Sequence, residues 1–256
     1  MKITVIQPDI EWEDKSGNLE KLERMILSSG NDADIVILPE MFSTGFTMKP
    51  EKVSEPPRSD TFEWMVSVSV QGNFGLCGSY IILKNNHAYN RWVFVTPEKK
   101  SWYYDKHHLY TMGNEHLHYT AGNKQLVFRF RGVRIMATVC YDLRFPVWNR
   151  NRNNYDLLIN SANWPQPRRE VWLTLLRARA IENQCYVAGS NRIGTDGEGI
   201  KYCGDSMVVN PRGEVIASAE HGTECCISAV ISMGELSRFR KKFPVLNDAD
   251  KFSILP

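Results

Sequence analysis

The sequence predicts an α/β fold, and two observations support this prediction. Short apolar runs with strand character alternate along the chain with segments whose apolar residues recur at helical spacing. Later in the chain, two strand-like runs flank a tight turn, which adds antiparallel pairing. The 256 residues fit one large domain or two small ones, and a hydrophobic content of 43% is enough to bury a sizeable core. Local patterns leave open whether the strands form one sheet or two.

The first quarter of the chain is predicted to form strand, helix, strand and helix. Residues 3–6 are an apolar opening strand. A helix follows, which Gly30 can end, and its apolar face consists of Leu19, Leu22 and Ile26. Residues 34–38 are almost wholly apolar and rich in Ile and Val, which favours a strand covered on both faces. Asp60 can cap the next helix.

The middle of the chain predicts a hairpin and a strand that leads into a cysteine. Strand-like segments at 76–83 and 91–95 are joined by Asn85-Asn86, a pair that favours a turn. Residues 133–139 form another apolar strand, which runs directly into Cys140. A side chain at this position lies at the carboxyl end of its strand.

The last part of the chain predicts further strands and a long helix. Residues 168–183 have the strongest helical pattern in the chain, with an apolar stripe that consists of Trp172, Leu175, Leu176 and Ile181. Residues 210–213, Asn-Pro-Arg-Gly, form a hairpin turn. The predicted strands are 157–160, 186–188, 207–209 and 215–217.

Charge and composition exclude several classes of protein. A formal net charge of +2 gives no case for binding to nucleic acid or to a membrane surface. The amino terminus lacks the apolar region of a signal peptide, and no apolar run is long enough to span a bilayer. The six cysteines form no CxxC pair, so we expect reduced thiols and a cytoplasmic protein.

Two residues with catalytic chemistry follow apolar strands. Glu40 comes after residues 35–39, and Cys140 after residues 135–139. In α/β proteins, catalytic groups gather outside the carboxyl ends of strands. A partly desolvated carboxylate suits a general base, and a thiol at a strand end can face a cleft. Taken alone, Glu40 could equally cap a turn or pair with an arginine, and Cys140 could be a small core residue.

Lys106 follows two tyrosines, in the segment Tyr103-Tyr104-Asp105-Lys106. A lysine held among aromatic side chains can be a fixed cation that lowers the pKa of a nearby thiol and stabilises negative charge on a substrate oxygen. An exposed surface lysine is the alternative interpretation of the same segment.

Three segments together resemble the motifs of the nitrilase superfamily, also called the carbon–nitrogen hydrolases. They are, in this order, residues 38–42 (Leu-Pro-Glu-Met-Phe), 105–109 (Asp-Lys-His-His-Leu) and 139–146 (Val-Cys-Tyr-Asp-Leu-Arg-Phe-Pro). The resemblance runs from residue 1 to residue 233, which sets the expected hydrolase domain at 1–233 and leaves a tail at 234–256. This tail is expected to pack on a neighbouring subunit or on its own domain.

The resemblance implies a four-layer α-β-β-α sandwich and a Glu-Lys-Cys triad. Glu40 matches the general base, Lys106 the transition-state stabiliser and Cys140 the nucleophile. Glu115 matches a second glutamate that orients the lysine and helps to position water. The oxyanion is expected to bind Lys106 and the backbone N–H of Tyr141. A thioester forms and is hydrolysed, no metal or organic cofactor is needed, and a homodimer or larger homo-oligomer is expected.

Two further segments of the sequence resemble one branch of the superfamily in particular. Residues 114–122 and 160–165 are similar to the omega-amidases, which hydrolyse 2-oxo acid amides such as 2-oxoglutaramate. The alternatives within the superfamily are hydrolysis of deaminated glutathione, of N-carbamoyl amines or of nitriles. Substrates of this kind carry carboxylates, so a cationic contact is expected. Candidate substrate-binding residues are Asn163, Trp164, Arg144 and Arg168, although Arg144 could instead form an internal salt bridge.

Two other classes of protein are alternatives to an amide hydrolase. A metal-binding protein is suggested by a histidine cluster that consists of His107, His108, His116 and His118, but no HExxH motif or cysteine partner accompanies it. A non-catalytic scaffold with the same fold is expected to lack a triad residue, whereas this sequence retains all three. Both alternatives therefore rank below an enzyme that acts on a small-molecule amide.

Overall fold

The computed structural model describes residues 1–29 and 32–254, and it contains two six-stranded sheets. The predicted helix stop at Gly30 lies outside the described residues. The strands of the first sheet are β1 (Lys2–Gln7), β2 (Ile35–Ile37), β3 (Gly75–Lys84), β4 (His87–Val95), β5 (Ser101–Asp105) and β14 (Cys225–Val230). The strands of the second sheet are β6 (Leu126–Phe130), β7 (Val133–Val139), β8 (Leu157–Ala162), β9 (Tyr186–Asn191), β12 (Met207–Val209) and β13 (Val215–Ser218). A separate pair consists of β10 (Ile193–Thr195) and β11 (Lys201–Cys203).

The helices include three long elements that cover the sheets. They are α1 (Lys15–Ser28), α3 (Asp60–Gly72) and α6 (Arg169–Asn183). The others are α2 (Pro50–Val53), α4 (Glu115–His118), α5 (Pro146–Asn149) and α7 (Met233–Lys242). Short 3₁₀ helices occur at Thr111–Gly113, Cys140–Arg144, Gln166–Arg168 and Val245–Asp248.

The two sheets have the same kind of topology. The order of the first is β14-β1-β2-β3-β4-β5, and only β1, β2 and β3 pair in parallel. The order of the second is β13-β12-β9-β8-β7-β6, with β7, β8 and β9 in parallel. Each sheet therefore has a parallel centre whose strands end at a common edge, and antiparallel strands on both sides of it.

The side chains of the first sheet alternate between two apolar layers. Ile35 and Ile37 of β2 belong to the core between the sheets, whereas Val36 packs with α1 and α3 on the outer face. On the far side of the second sheet, Trp172 and Leu176 of α6 pack against the strands. The layers are thus helix, sheet, sheet and helix, and the expectation of an α-β-β-α sandwich is confirmed.

Hydrogen bonds as well as apolar contacts join the two sheets. The Ser161 hydroxyl donates to the Leu38 carbonyl at 2.7 Å and accepts from Trp92 Nε1 at 3.2 Å. The Ser190 hydroxyl donates to the Ile6 carbonyl at 2.9 Å. Because these buried groups have partners across the interface, they fix how the strand ends of one sheet face those of the other.

Local predictions agree with the structure except in two details. Asn85 and Asn86 form the turn of the β3–β4 hairpin with φ of 51° and 62°, values that asparagine tolerates. The cap of α3 is Ser59, not Asp60, because the Ser59 hydroxyl accepts from the Phe62 N–H while Asp60 begins the helix. Ile181 is 51% exposed, because it lies five residues after Leu176 and so points away from the buried face of α6.

The carboxyl-terminal helix α7 packs on the second sheet of its own chain. Leu236 is buried in the core there, and Arg240 binds the Asp156 carboxylate at 2.9 Å and the Gln184 carbonyl at 2.9 Å. Across residues 1–29 and 32–254, no helix is long and apolar enough to cross a membrane.

Candidate active site

Four of the predicted site residues lie just beyond the carboxyl ends of strands. Glu40 comes three residues after β2 ends, Lys106 directly follows β5, Cys140 directly follows β7, and Asn163 directly follows β8. Glu115 begins the short helix α4. The sandwich brings all five together at one edge of the molecule, where strand ends from both sheets meet.

Lys106 is the centre of a buried cluster of charged groups. Its Nζ donates to Glu40 Oε1 at 2.8 Å and to Glu115 Oε2 at 2.8 Å. Asn90 of β4 joins the same two carboxylates, with its Nδ2 at 2.7 Å from Glu40 Oε1 and 3.1 Å from Glu115 Oε1. The side chains of Lys106, Glu40 and Glu115 are fully buried. The alternatives of a surface lysine and a turn-capping glutamate are therefore wrong.

Burial and charge together set the protonation of this cluster. Burial alone would lower the pKa of Lys106, but the carboxylates of Glu115 and Glu40 outweigh it, and the net effect raises the pKa. Burial raises the pKa of Glu115, an effect that the Lys106 ammonium opposes and Glu40 reinforces. Lys106 is consequently a fixed ammonium ion, which can donate hydrogen bonds but cannot accept a proton.

Cys140 lies at a sharp turn between β7 and a 3₁₀ helix. Its φ of 41° is in the left-handed region, which is uncommon for a residue with a side chain and places the thiol away from the path of the strand. The Sγ atom lies 3.7 Å from the carbonyl oxygen of Asn163. Burial, and after it the carboxylate of Glu40, raises the pKa of the thiol, although Lys106 opposes this shift. The resting thiol is therefore protonated, so its attack on a carbonyl requires a base.

The expectation that Lys106 makes the Cys140 thiol more acidic is correct for the effect of the lysine itself. The net effect of all the surroundings, however, is a raised pKa of the thiol. The ammonium lowers the pKa, as predicted, yet burial is the larger effect. The sequence cannot give the relative size of these two effects, because burial of Cys140 depends on how the two sheets pack.

Asn163 holds Glu40 in place through two hydrogen bonds. Its backbone N–H donates to Glu40 Oε2 at 2.8 Å, and its Nδ2 donates to the Glu40 carbonyl oxygen at 2.7 Å. Both carboxylate oxygens of Glu40 are thus engaged, one by Lys106 and Asn90 and the other by Asn163. The backbone of Asn163 therefore fixes the Glu40 carboxylate, while its side chain, which is predicted to bind substrate, fixes the Glu40 backbone.

The backbone N–H of Tyr141 lies in the first turn of the 3₁₀ helix Cys140–Arg144. At this position no carbonyl of the helix can accept the hydrogen bond, so the N–H is free for an external acceptor. Tyr141 lines the same cavity as Cys140.

A cavity of about 770 Å³ opens above the thiol. This volume is within the range of small-molecule sites. The lining includes Lys106, Cys140, Tyr141, Asn163 and all of the predicted substrate contacts, together with Phe46, Met48, Tyr110, Met112, Pro165 and Tyr202. The cavity is therefore apolar over much of its wall, and the Cys140 thiol and the Lys106 ammonium are among its lining groups.

The charged residues of the cavity wall include two arginines, in addition to Lys201, Asp196 and Glu198. The Arg144 guanidinium carbon lies 5.1 Å from the ring centre of Trp164, and that of Arg168 lies 5.2 Å from the ring centre of Tyr110. Within residues 1–29 and 32–254, every ion pair between an arginine and a carboxylate involves another arginine, so neither guanidinium has a carboxylate within 4.0 Å. The internal salt bridge considered for Arg144 is therefore not formed with any described residue, and both cations are available to a ligand.

The four clustered histidines do not share a site in the described part of the chain. The His107 ring stacks on Trp148 with 3.7 Å between the ring centres, and His108 Nδ1 lies 2.8 Å from Asp142 Oδ1. The side chains of His116 and His118 are exposed. A different group, Cys203, Asp205 and His221, places its ligand atoms within 4.8 Å of one another.

That second group does not offer a good metal site. Both carboxylate oxygens of Asp205 accept from the Arg169 guanidinium, at 2.8 and 2.9 Å. A cation bound at this carboxylate would lie against the positive charge of the arginine.

Sequence reasoning missed two buried polar residues near the site, Asn90 and Asp142. Asn90 lies in β4, whose sequence is His-Ala-Tyr-Asn-Arg-Trp-Val-Phe-Val, and the charged Arg91 directly follows it, so no break in an apolar run marks Asn90 in the sequence. Asp142 is fully buried two residues after Cys140, inside the motif that drew attention to the cysteine. Most of their partners lie far away in the sequence, so a local pattern cannot reveal these contacts; the exception is the Val139 N–H, three residues before Asp142.

A buried Glu-Lys-Cys cluster on a helix–sheet–sheet–helix sandwich is the arrangement that the resemblance to the carbon–nitrogen hydrolases implies, and comparison with known proteins identifies the family. The family model described as carbon-nitrogen hydrolase matches residues 2–241. The chain therefore belongs to the carbon–nitrogen hydrolase family, as the resemblance of its three motifs predicted.

Individual relatives extend this comparison over nearly the whole chain. Omega-amidase YafV of Escherichia coli K12 is 46% identical, with 99% of this chain and 98% of the relative covered. The 2-oxoglutaramate amidase of Bacillus subtilis is 34% identical, with 97% of each chain covered. The crystal structure of XC1258 of Xanthomonas campestris, a CN-hydrolase superfamily protein with an arsenic adduct in its active site, superposes with a TM-score of 0.97 at 37% identity; the match covers 99% of this chain and 98% of the other.

Proposed function

We propose that this carbon–nitrogen hydrolase is an omega-amidase, which hydrolyses the terminal amide of a small 2-oxo acid amide such as 2-oxoglutaramate. The observation that carries the proposal is the cavity, whose lining includes Cys140 and Lys106 together with two arginines that have no carboxylate partner among the described residues. The high identity to an omega-amidase and to a 2-oxoglutaramate amidase supports the same substrate class. Such a substrate carries an amide at one end and a carboxylate at the other.

The first half of the proposed reaction forms a thioester at Cys140. Glu40 accepts the thiol proton while sulfur attacks the amide carbon. The carbonyl oxygen gains negative charge, and the N–H of Tyr141 and the ammonium of Lys106 donate hydrogen bonds to it. Glu40 then returns its proton to the nitrogen, the carbon–nitrogen bond breaks, and ammonia leaves.

The second half of the proposed reaction hydrolyses the thioester. Glu40 removes a proton from water as the water oxygen attacks the thioester carbon. The carbon–sulfur bond breaks, the thiol regains a proton, and the product acid leaves. Glu115 orients Lys106 through their 2.8 Å contact and helps to position the water. These side chains and water supply every proton that moves, so the proposed cycle uses neither a metal nor an organic cofactor.

The far end of the substrate is proposed to bind the arginines of the cavity wall. A guanidinium matches a carboxylate in shape and charge, and binding between the two removes the cost of leaving a partly buried cation unpaired. The Arg144 guanidinium lies over the ring of Trp164, and this contact helps to hold it in place. We expect Arg144→Gln and Arg168→Gln to raise KM for 2-oxo acid amides more than they lower kcat.

The assembly and location of the enzyme are further parts of the proposal. We propose a homodimer or larger homo-oligomer, in which residues beyond 233 contact a neighbouring subunit in addition to their own sheet. Light scattering on the purified protein tests the assembly, and cell fractionation tests the proposed cytoplasmic location. A monomer in solution at micromolar concentration would contradict the first proposal.

A panel of amides tests the substrate class most directly. Ammonia release is measured with 2-oxoglutaramate, succinamate, an N-carbamoyl amine, deaminated glutathione and a simple nitrile. We expect the two omega-amides to have the highest kcat/KM. A preference for the nitrile or for the carbamoyl compound would instead assign the enzyme to that other activity of the family.

A further inference from the structure

Asp142 is a fully buried carboxylate that the proposed reaction does not use. Each of its oxygens accepts two hydrogen bonds. Oδ1 accepts from the backbone N–H and from Nδ1 of His108, at 2.9 and 2.8 Å. Oδ2 accepts from the Tyr104 hydroxyl at 2.7 Å and from the Val139 N–H at 3.0 Å. The four acceptor positions of the carboxylate are therefore occupied.

The donors come from the two segments that carry the reactive groups. Tyr104 and His108 lie two residues before and two residues after Lys106, whereas Val139 lies directly before Cys140. Asp142 itself lies two residues after the cysteine. The lysine segment belongs to the edge of the first sheet and the cysteine segment to the second sheet. One carboxylate thus ties together the two chain segments whose separation sets the distance between thiol and ammonium.

The surroundings of Asp142 argue against an ordinary salt bridge. In the described part of the chain, no lysine or arginine nitrogen lies within 4.0 Å of its carboxylate, and its side-chain partners are His108 and Tyr104. Burial of a carboxylate is costly, and here the cost is offset by hydrogen bonds from fixed backbone and aromatic groups. Tyr104 also remains a donor, because burial and the charge of Asp142 raise its pKa.

We propose that Asp142 is a positioning residue, which aligns the Lys106 segment with the Cys140 turn and so sets the reactivity of the thiol. This inference rests on the proposed roles of Cys140 and Lys106. An asparagine has one acceptor oxygen in place of two, so in Asp142→Asn one pair of donors would face an NH₂ group and the two segments would separate. A displacement of about 1 Å at a reacting group can cost roughly 100-fold in rate.

The test compares Asp142→Asn with a control that loses an equally networked carboxylate elsewhere. Asp156 is also buried, and it binds Arg134 and Arg240 on the side of the second sheet that α7 covers. For both variants, thermal unfolding, kcat and KM for succinamate, and the rate of iodoacetamide labelling of Cys140 are measured. Labelling needs no substrate, so it tests positioning even if the proposed substrate class is wrong.

We expect Asp142→Asn to lower kcat by about 10- to 100-fold and to slow Cys140 labelling by a similar factor, with KM little changed. Asp156→Asn is expected to unfold at a lower temperature while keeping both rates. If Asp142→Asn does not fold, Tyr104→Phe removes one of the four bonds and is expected to lower both rates by several-fold. Unchanged labelling and kcat in whichever of the two variants folds, with only lower stability, would overturn the proposal.

Discussion

At the scale of single residues, the site depends on carboxylates that share a few buried donors. Glu40 and Glu115 both bind Lys106 and Asn90, and the amide of Asn90 keeps two negative groups near each other without adding charge. The sequence predicted three of these four residues: Glu40 from a strand end and a family motif, Lys106 from its aromatic segment and a family motif, and Glu115 from the resemblance alone. Asn90 was not predicted, because the presence of an amide side chain in a strand does not show which groups it binds.

Replacement of Asn90 by aspartate tests this arrangement. Asn90→Asp has the same shape but adds a third carboxylate to a cluster that contains a single lysine, so one carboxyl group must take up a proton at neutral pH. We expect kcat to fall by about 100-fold or more, in the range that loss of a general base produces. Asn160→Asp is the matched control, since Asn160 is also buried in a strand but binds Thr138. Equal activity of the two variants would contradict a role for Asn90.

At the scale of elements, the sequence predicted which segments form strands and helices more reliably than how they associate. The turn at Asn85-Asn86 and the strand at 133–139 occur as predicted, because the signals for them are local. The division into two sheets is set by pairing between distant segments, such as β1 with β14, which begins 223 residues after β1 begins (225 − 2). Ile181 illustrates a second limit, since its apolar character says nothing about which face of the helix is covered.

The helix α7 provides a stability test at this scale. Leu236 is 3% exposed and packs into the core of the second sheet, so we expect Leu236→Ala to lower the free energy of unfolding by about 2–5 kcal/mol. Leu83 is 45% exposed, and Leu83→Ala is expected to change the free energy of unfolding by less than about 0.5 kcal/mol. Chemical denaturation measures both. Similar values for the two variants would mean that α7 does not pack on its own domain.

At the scale of the whole molecule, the sandwich buries thiol and phenol groups that an unfolded chain exposes. Burial raises the pKa of Cys77, Tyr104 and Tyr155, each of which is fully enclosed. In the unfolded chain these groups lose their protons near pH 8.5 for cysteine and about 10 for tyrosine. The native protein therefore holds more protons than the unfolded chain at alkaline pH, and its stability falls as the pH rises.

Alkaline unfolding measures this effect. At a pH where such a group is ionised in the unfolded chain but still protonated in the native protein, it lowers the free energy of unfolding by roughly 1.4 kcal/mol per pH unit. We expect Tyr155→Phe to make the loss of stability above pH 10 less steep. Tyr103→Phe is the control, since this side chain is 55% exposed. Stability that stays constant from pH 8 to pH 11 would contradict the burial of these groups.

The central claim is that Cys140 forms a thioester with the acyl part of the substrate. Enzyme mixed with excess succinamate is quenched with acid within milliseconds to seconds, digested and analysed by mass spectrometry. We expect an acyl group on the Cys140 peptide that hydroxylamine removes, and a folded Cys140→Ala variant with neither adduct nor ammonia release. Turnover that survives in Cys140→Ala, or an acyl group found on another residue during turnover, would contradict the account.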